Sequence, residues 1–346
     1  MDNVSKNILI IFFIIVVFYL LSALSSILIP LVLALLFAVL FQPFLQFMKK
    51  HKIPDFLGLP IVAIISLVIL LVITNILIST ISDVAAEQNY LLVRLDEKIN
   101  ALMQFISSAT GLKINQGFLN KEFNNLLSSD WLGKTAGGLA SGLSSLTGSF
   151  IMFGLYYVII LSGMSGYKKY IQYVGGDSNE RLFANFEKVQ KSVISFILLK
   201  TLVNICAGVA ATLICIAFGV KFPLFWGFVT FMFDYIPTIG SLIATVPPAL
   251  MGLIQFDEIK TALLLFACLS VVQFTIGNIL EPKIIGNRLR LNTVTVIFGL
   301  VFWGYLWGIP GMMLSVPLMV ILKLIFENNQ SLSILARVMG YPEKMK

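Results

Sequence analysis

The sequence predicts an all-α, polytopic integral membrane protein, and three observations carry that reading. Hydrophobic residues make up 58% of the 346 positions and charged residues only 12%, where a soluble domain averages about 25% charged. Mean hydropathy is +0.94. The apolar residues fall into runs long enough to cross a hydrocarbon core of about 30 Å, which takes roughly 20 helical residues. Two of those runs, Phe222 to Phe256 and Leu291 to Phe326, are about 35 residues long and broken near the middle by proline and glycine. As one helix each would extend roughly 52 Å at 1.5 Å per residue, too long for one span and too short for two. The expected architecture is about six full transmembrane helices plus two interrupted, re-entrant hairpins, all in one membrane domain covering residues 1–346.

In chain order, Ile8 to Ile29 is too long for a signal-peptide core and lacks a small-residue cleavage site, so it reads as the first span. Pro30 is expected to end or sharply bend it, with Leu31 to Met48 as the second span. A short basic loop, Lys49 to Lys52, precedes a third span from about Pro60 to Ser82. Residues 83–145 change character. Leu91, Leu95, Ile99, Leu102, Phe105 and Ile106 recur at helical spacing between Arg94, Asp96, Glu97 and Lys98. This amphipathic helical segment is expected outside the cytoplasm, either lying on the bilayer or the rest of the protein, or working as a moving arm. Gly133, Gly137, Ser141, Ser145 and Ser149 follow at a spacing of four, a small-residue face suited to close helix contact, and lead into a fourth span at about 146–164. Residues 166–191 set Lys168, Lys169, Arg181, Lys188 and Lys191 beside an apolar stripe. That pattern predicts a cytoplasmic interfacial helix ahead of a fifth span at about 193–219. A sixth span, about 259–280, separates the two long runs, and the tail 327–346 is polar and slightly basic.

The first long run holds one charge, Asp234. Half-helices are predicted at about 223–234 and 240–254. Pro237 removes an amide donor and Gly240 tolerates positive φ, so the backbone between them should be unwound. Irregular backbone at membrane depth survives only where protein or a water-filled cavity surrounds it, and transporters place binding sites at such interruptions. An ionised carboxylate there costs about 2.5–3.5 kcal/mol, so Asp234 needs a polar cavity, a partner or a proton. It either lines a solute or cation path with Pro237, Thr238 and Gly240, where the amides freed at the start of the second half-helix supply donors, or merely caps the second half-helix or the turn. Lys200 lies two turns inside the fifth span with Asn204 one turn on. Lys200 either faces a polar cavity or snorkels to the interface. Gln273, Asn278 and Glu281 end the sixth span, and Gly308, Pro310 and Gly311 break the second long run. These complete the set of candidate path residues.

Charge then chooses a topology. If each long run crossed once, Lys283, Arg288 and Arg290 would lie outside, against the positive-inside rule. If both are re-entrant hairpins entering from opposite faces, every short loop with three or more Lys or Arg is cytoplasmic, as are both termini. The net charge of +7 is explained by this rule, and no nucleic-acid partner is expected. Cys206, Cys215 and Cys268 all lie in apolar segments and His51 is the only histidine, so no disulfide framework, metal site or cofactor is expected.

Several motifs in this order resemble the autoinducer-2 exporter (AI-2E) family, the PerM-like permeases. They are Phe233-Asp234-Tyr235-Ile236-Pro237-Thr238-Ile239-Gly240, Gly277-Asn278-Ile279-Leu280-Glu281-Pro282-Lys283-Ile284-Ile285-Gly286, and Trp307-Gly308-Ile309-Pro310-Gly311 continuing to Pro317. Ile53-Pro54 resembles the family's Ile-Pro before the third span. Ser241 and Thr293 stand where proline is common, Asp55 where a basic residue is common, and Ile276 where many relatives are acidic. The resemblance implies a bacterial inner-membrane permease, a homo-oligomer, with autoinducer-2 exporters and sodium(lithium)/proton antiporters among its members.

The leading functional expectation is secondary transport, with export of a small polar solute such as autoinducer-2. No G-x-x-x-x-G-K-[ST] occurs, so energy must come from an ion gradient. Sodium(lithium)/proton antiport is the alternative, but only Asp234 and Glu281 offer carboxylates. An intramembrane protease would need a second Gly-x-Gly-Asp aspartate, a G-x-S-x-G or an H-E-x-x-H, none of which occurs. A non-transporting scaffold would leave the two interruptions without a purpose.

Overall fold

A computed structural model describes residues 3–110, 151–163, 180–285, 291–327 and 332–340. In chain order the helices are α1 (Asn3–Ala23), α2 (Ser25–Lys50), α3 (Asp55–Ala86), α4 (Gln88–Thr110) and α5 (Ile151–Gly163). Then come α6 (Glu180–Phe218), α7 (Pro223–Phe233), α8 (Ile239–Gln255) and α9 (Ile259–Thr275). A π-turn, Ile276–Leu280, joins α9 to α10 (Glu281–Ile285), and α11 (Thr293–Glu327) and α12 (Ser333–Met339) complete the fold. Large apolar side chains point outward along these helices, as with Phe12, Leu213 and Phe298, each at least 60% exposed. That surface suits lipid, not water.

Two expected boundaries move. The first two spans meet at Leu24, and Pro30 sits inside α2. The Leu24 amide still bonds Leu20 O at 2.9 Å, and the Leu28 amide bonds Leu24 O at 2.9 Å. The backbone ladder therefore bridges the junction, and Pro30 costs α2 a single internal donor. Likewise the helix of the fifth span, expected from about 193, starts earlier: α6 runs unbroken from Glu180 through the basic stretch into the span. The small-residue face from Gly133 to Ser149, the 111–145 part of the amphipathic segment, and 166–179 lie outside the described residues.

Helix α6 is the spine. Its Ala211 and Cys215 share a core with Met251 of α8 and Leu265 and Leu269 of α9. One end, through Phe196 and Ile197, packs with Trp303, Leu314 and Val316 of α11. Each long run folds back on itself beside this spine. In the first, Gln255 donates to Gly219 O at 2.6 Å and accepts from the Lys221 amide at 2.9 Å, so the chain leaves the hairpin where it entered. In the second, Gly308 takes φ 64°, ψ −143°, and a Cβ on Gly299 would stand 2.4 Å from the Met319 side chain. On a straight helix those two residues would be roughly 30 Å apart. The 27-residue Ile259–Ile285 crossing separates the hairpins, so their open ends lie at opposite ends of the bundle.

The amphipathic helix α4 rests on the open end of the first hairpin. Lys98 donates to Phe256 O at 2.6 Å and to Asp257 O at 3.0 Å, and Arg94 pairs with Asp257 at 2.9 Å. Lys221 pairs with Glu87 and lies 4.4 Å from the Tyr90 ring centroid.

Candidate functional site at the tip of the first hairpin

Glycines let α6 and α7 approach closely. A Cβ on Gly208 would stand 2.7 Å from Gly227 O, and one on Gly227 would stand 2.6 Å from Gly208 O. Farther along the same antiparallel pairing, Asn204 donates to Phe231 O at 3.3 Å, and the hydroxyls of Thr201 and Tyr235 bond at 2.6 Å. This register carries Asp234, at the end of α7, to the part of α6 that bears Lys200.

The turn after α7 is tighter than expected. The Ile236 amide bonds Phe233 O at 2.7 Å, the Ile239 amide bonds Pro237 O at 2.7 Å, and the Gly240 amide bonds Ile236 O at 2.9 Å. The amides expected to be free for a ligand at 239 and 240 are thus already used by the turn. Positive φ falls on Thr238 (66°) instead of Gly240. Gly240 is required for a different reason: a Cβ there would stand 2.2 Å from Phe233 O. Holding a threonine at positive φ is strained and needs surrounding structure to enforce it.

Asp234 does not cap α8. The cap position is Thr238, which makes no side-chain cap bond. The Asp234 carboxylate instead accepts from Gln273 Nε2 at 3.0 Å. Gln273 is near the middle of the Ile259–Ile285 crossing, which places the pair deep in the span. Lys200 does not snorkel: it is 9% exposed and its Nζ lies 2.7 Å from Glu281 Oε1. Lys200 and Glu281 are both within electrostatic range of Asp234. The π-turn explains how α9 and α10 serve both partners. Eight residues of α-helix would leave Gln273 and Glu281 about 80° apart. One extra residue in the turn rotates α10 back by roughly 100°, which brings the two side chains onto nearly one face. The result is two partly buried carboxylates, one buried ammonium, one amide and a Thr–Tyr hydroxyl pair set among apolar helices.

The other candidates fall elsewhere. Asn278 is exposed and bonds Phe274 O at 3.2 Å on its own helix. Thr238 is exposed, and Pro237 is part of the turn. Gly308, Pro310 and Gly311 form the reversal of the second hairpin, where a Cβ on Gly311 would stand 2.0 Å from Trp303 O. Sequence reasoning missed Thr201, Tyr235, Gly208, Gly227 and the buried Thr230. Gly208 and Gly227 each lie in an apolar helix and were legible as close-contact positions, but nothing in the sequence says that they meet.

An all-α membrane domain with two opposed, broken hairpins and a charged cluster at one tip defines a transporter class of fold. Residues 8–330 match the family described as AI-2E family transporter, and the chain belongs to that family. It is 29% identical over 318 residues to AI-2 transport protein TqsA of Escherichia coli K12, covering 90% of this chain and 89% of that protein. It is 27% identical over 318 residues to the putative transport protein YhhT of the same organism, covering 92% and 89%. A putative transport protein of Borreliella burgdorferi is 36% identical over 149 residues, 43% of this chain and 41% of that protein.

Proposed function

We propose that this transporter exports a small polar solute, of the size and polarity of autoinducer-2, across the bacterial inner membrane, driven by an ion gradient. The observation that carries the reading is the Asp234–Gln273 pair deep in the span, beside the Lys200–Glu281 ion pair. Holding Lys200 buried and Asp234 and Glu281 partly buried there carries a desolvation cost that packing alone gives no reason to bear. The name of the TqsA relative supports the solute class. Homo-oligomeric assembly, implied by the family, belongs to the same reading.

The test is solute flux in liposomes at matched protein density. Asp234→Asn keeps a hydrogen-bonding side chain but cannot ionise. We expect at least a tenfold loss of gradient-driven autoinducer-2 flux and a changed pH profile. Superimposable profiles for the two proteins would remove Asp234 from the mechanism. The proposal also places the 283–290 loop and both termini in the cytoplasm. A cysteine at Arg288 should stay unlabelled by an impermeant thiol reagent on intact cells, whereas one at Gln255 should label; labelling at 288 would reverse the orientation.

A further inference from the structure

The open ends of the two hairpins are covered in different ways. Over the second lies α12, held by backbone and burial. Asn292 Nδ2 donates to Val338 O at 2.6 Å and to Gly340 O at 3.0 Å, and the Asn292 amide donates to Met339 O at 3.0 Å. Ala336 and Met339 are buried, and Met339 shares the core of Trp303 and Leu314. Over the first lies α4, held by charge. Among the described residues no α4 side chain enters an apolar core.

The contacts of α4 reach both feet of the hairpin. At the exit foot, the Lys98 ammonium sits on the Phe256 and Asp257 carbonyls, at the end of α8 that carries partial negative charge, and Arg94 pairs with the Asp257 carboxylate. At the entry foot, Glu87, the residue just before α4, pairs with Lys221, whose ammonium also lies 4.4 Å from the Tyr90 ring centroid. Lys221 is fixed on two further sides. Its amide donates to Gln255 Oε1 at 2.9 Å, and its carbonyl accepts from Trp226 Nε1 at 3.0 Å. The next residue, Phe222, stands at φ 59°, a conformation that a phenylalanine keeps only where its surroundings enforce it. Lys221 therefore joins the entry foot, the exit foot and α4 at one point. The ionic ties are weak. The Asp257 side chain is 80% exposed and that of Glu87 37%. An exposed ion pair shifts an equilibrium by about fivefold at most. Helix α4 can thus leave the hairpin readily, whereas α12 cannot leave without breaking buried contacts.

We infer that α4 is a releasable strap over both feet of the first hairpin, fastened at Lys221 and Asp257, and that its release frees the Asp234 tip to shift against α6. The legs of the hairpin are helices of 11 and 17 residues, rigid enough to carry a change at the feet to the turn between them. The strap stands on these contacts alone; its part in turnover rests on the proposed transport activity. Lys221, Arg94 and Lys98 are positioning residues in this reading, since they touch neither the tip nor a solute.

Hydrogen–deuterium exchange of the purified full-length protein in detergent tests the strap. Raising potassium chloride from roughly 0.1 to 1 M shortens the screening length from about 10 to about 3 Å. Exchange of the α4 amides should rise at least fivefold, while that of the α12 amides stays within twofold. At low salt, Asp257→Arg should speed α4 exchange at least tenfold, and adding Arg94→Asp should bring it back to within threefold. An equal salt response in α4 and α12, or no rescue by the swap, would overturn the strap. Its hold on the tip is tested with Arg94→Cys and Asp257→Cys in a background lacking Cys206, Cys215 and Cys268, bridged by a reducible bis-methanethiosulfonate. Bridging should slow exchange of the Ile236, Ile239 and Gly240 amides at least threefold, and reduction should reverse it. Unchanged exchange at the tip would show that feet and tip are uncoupled, and the inference falls. Autoinducer-2 flux on the same preparations keeps the two readings apart. Bridging should lower flux at least tenfold; full flux in the bridged protein removes the strap from turnover. No flux in any preparation removes only the solute.

Discussion

The two hairpins use the same device for different ends. Each is an apolar run of about 35 residues that reverses at a Pro/Gly break and packs against α6. The first reverses over several residues, with Thr238 at positive φ, and its tip carries Asp234 and Tyr235 into polar contact with α6 and α9. The second reverses at Gly308, and its tip is aromatic. Trp303 and Trp307 lie with centroids 4.9 Å apart, and Trp307 Nε1 donates to Leu21 O of α1 at 2.9 Å. A broken helix therefore marks a place where the chain must be enclosed by protein, but not by itself a place of chemistry. What separates the two is whether ionisable side chains on neighbouring helices converge on the break.

The largest expected effect treats the hairpins alike. A Cβ at Gly240 or Gly311 meets backbone oxygen, of Phe233 and Trp303 respectively, that cannot move aside. Gly240→Ala and Gly311→Ala should each lose about 3 kcal/mol or fail to fold, at the upper end of the usual cost of overpacking. Gly277→Ala, with nothing within 4 Å, should be nearly neutral. Melting of the purified proteins in detergent checks this, and a stable Gly311→Ala would mean that the second reversal is looser than the first.

A smaller effect should split them. Lys200→Met removes the ammonium and leaves the partly exposed Glu281 without its partner, costing about 2 kcal/mol, less than for a fully buried pair because Glu281 keeps some solvent access. Adding Glu281→Gln should recover most of that stability, while flux stays low. Trp307→Phe in the second hairpin loses the bond to Leu21 O and some packed ring volume, should cost about 2 kcal/mol, and should leave flux per folded protein unchanged. If Trp307→Phe abolished flux at wild-type stability, the second tip would be part of the path and the contrast between the hairpins would fail.

Much of this was legible in the sequence because it rests on local properties. Apolar run length predicts a membrane domain, a doubled length with a central Pro/Gly break predicts a reversal, and charge asymmetry favours hairpins entering from opposite ends. The half-helix bounds at Pro223–Phe233 and Ile239–Gln255 lie within a residue or two of those expected, since proline and glycine act on their own turn. Pro30 misled because a proline inside a membrane helix removes only one donor, and packing absorbs the loss.

What the tertiary structure alone decided is which side chains meet. Lys200 and Glu281 are 81 residues apart in sequence, and Asp234 and Gln273 are 39 apart. No periodicity encodes such pairs, because they depend on the α6–α7 register set at Gly208 and Gly227 and on the π-turn that rotates Glu281 into line. The sequence by itself determined that a carboxylate would be buried deep in a membrane-spanning fold and need a partner. Helix packing determined the partner, since burial costs any charge the same way, but only the assembled bundle brings an amide and an ammonium within reach of it.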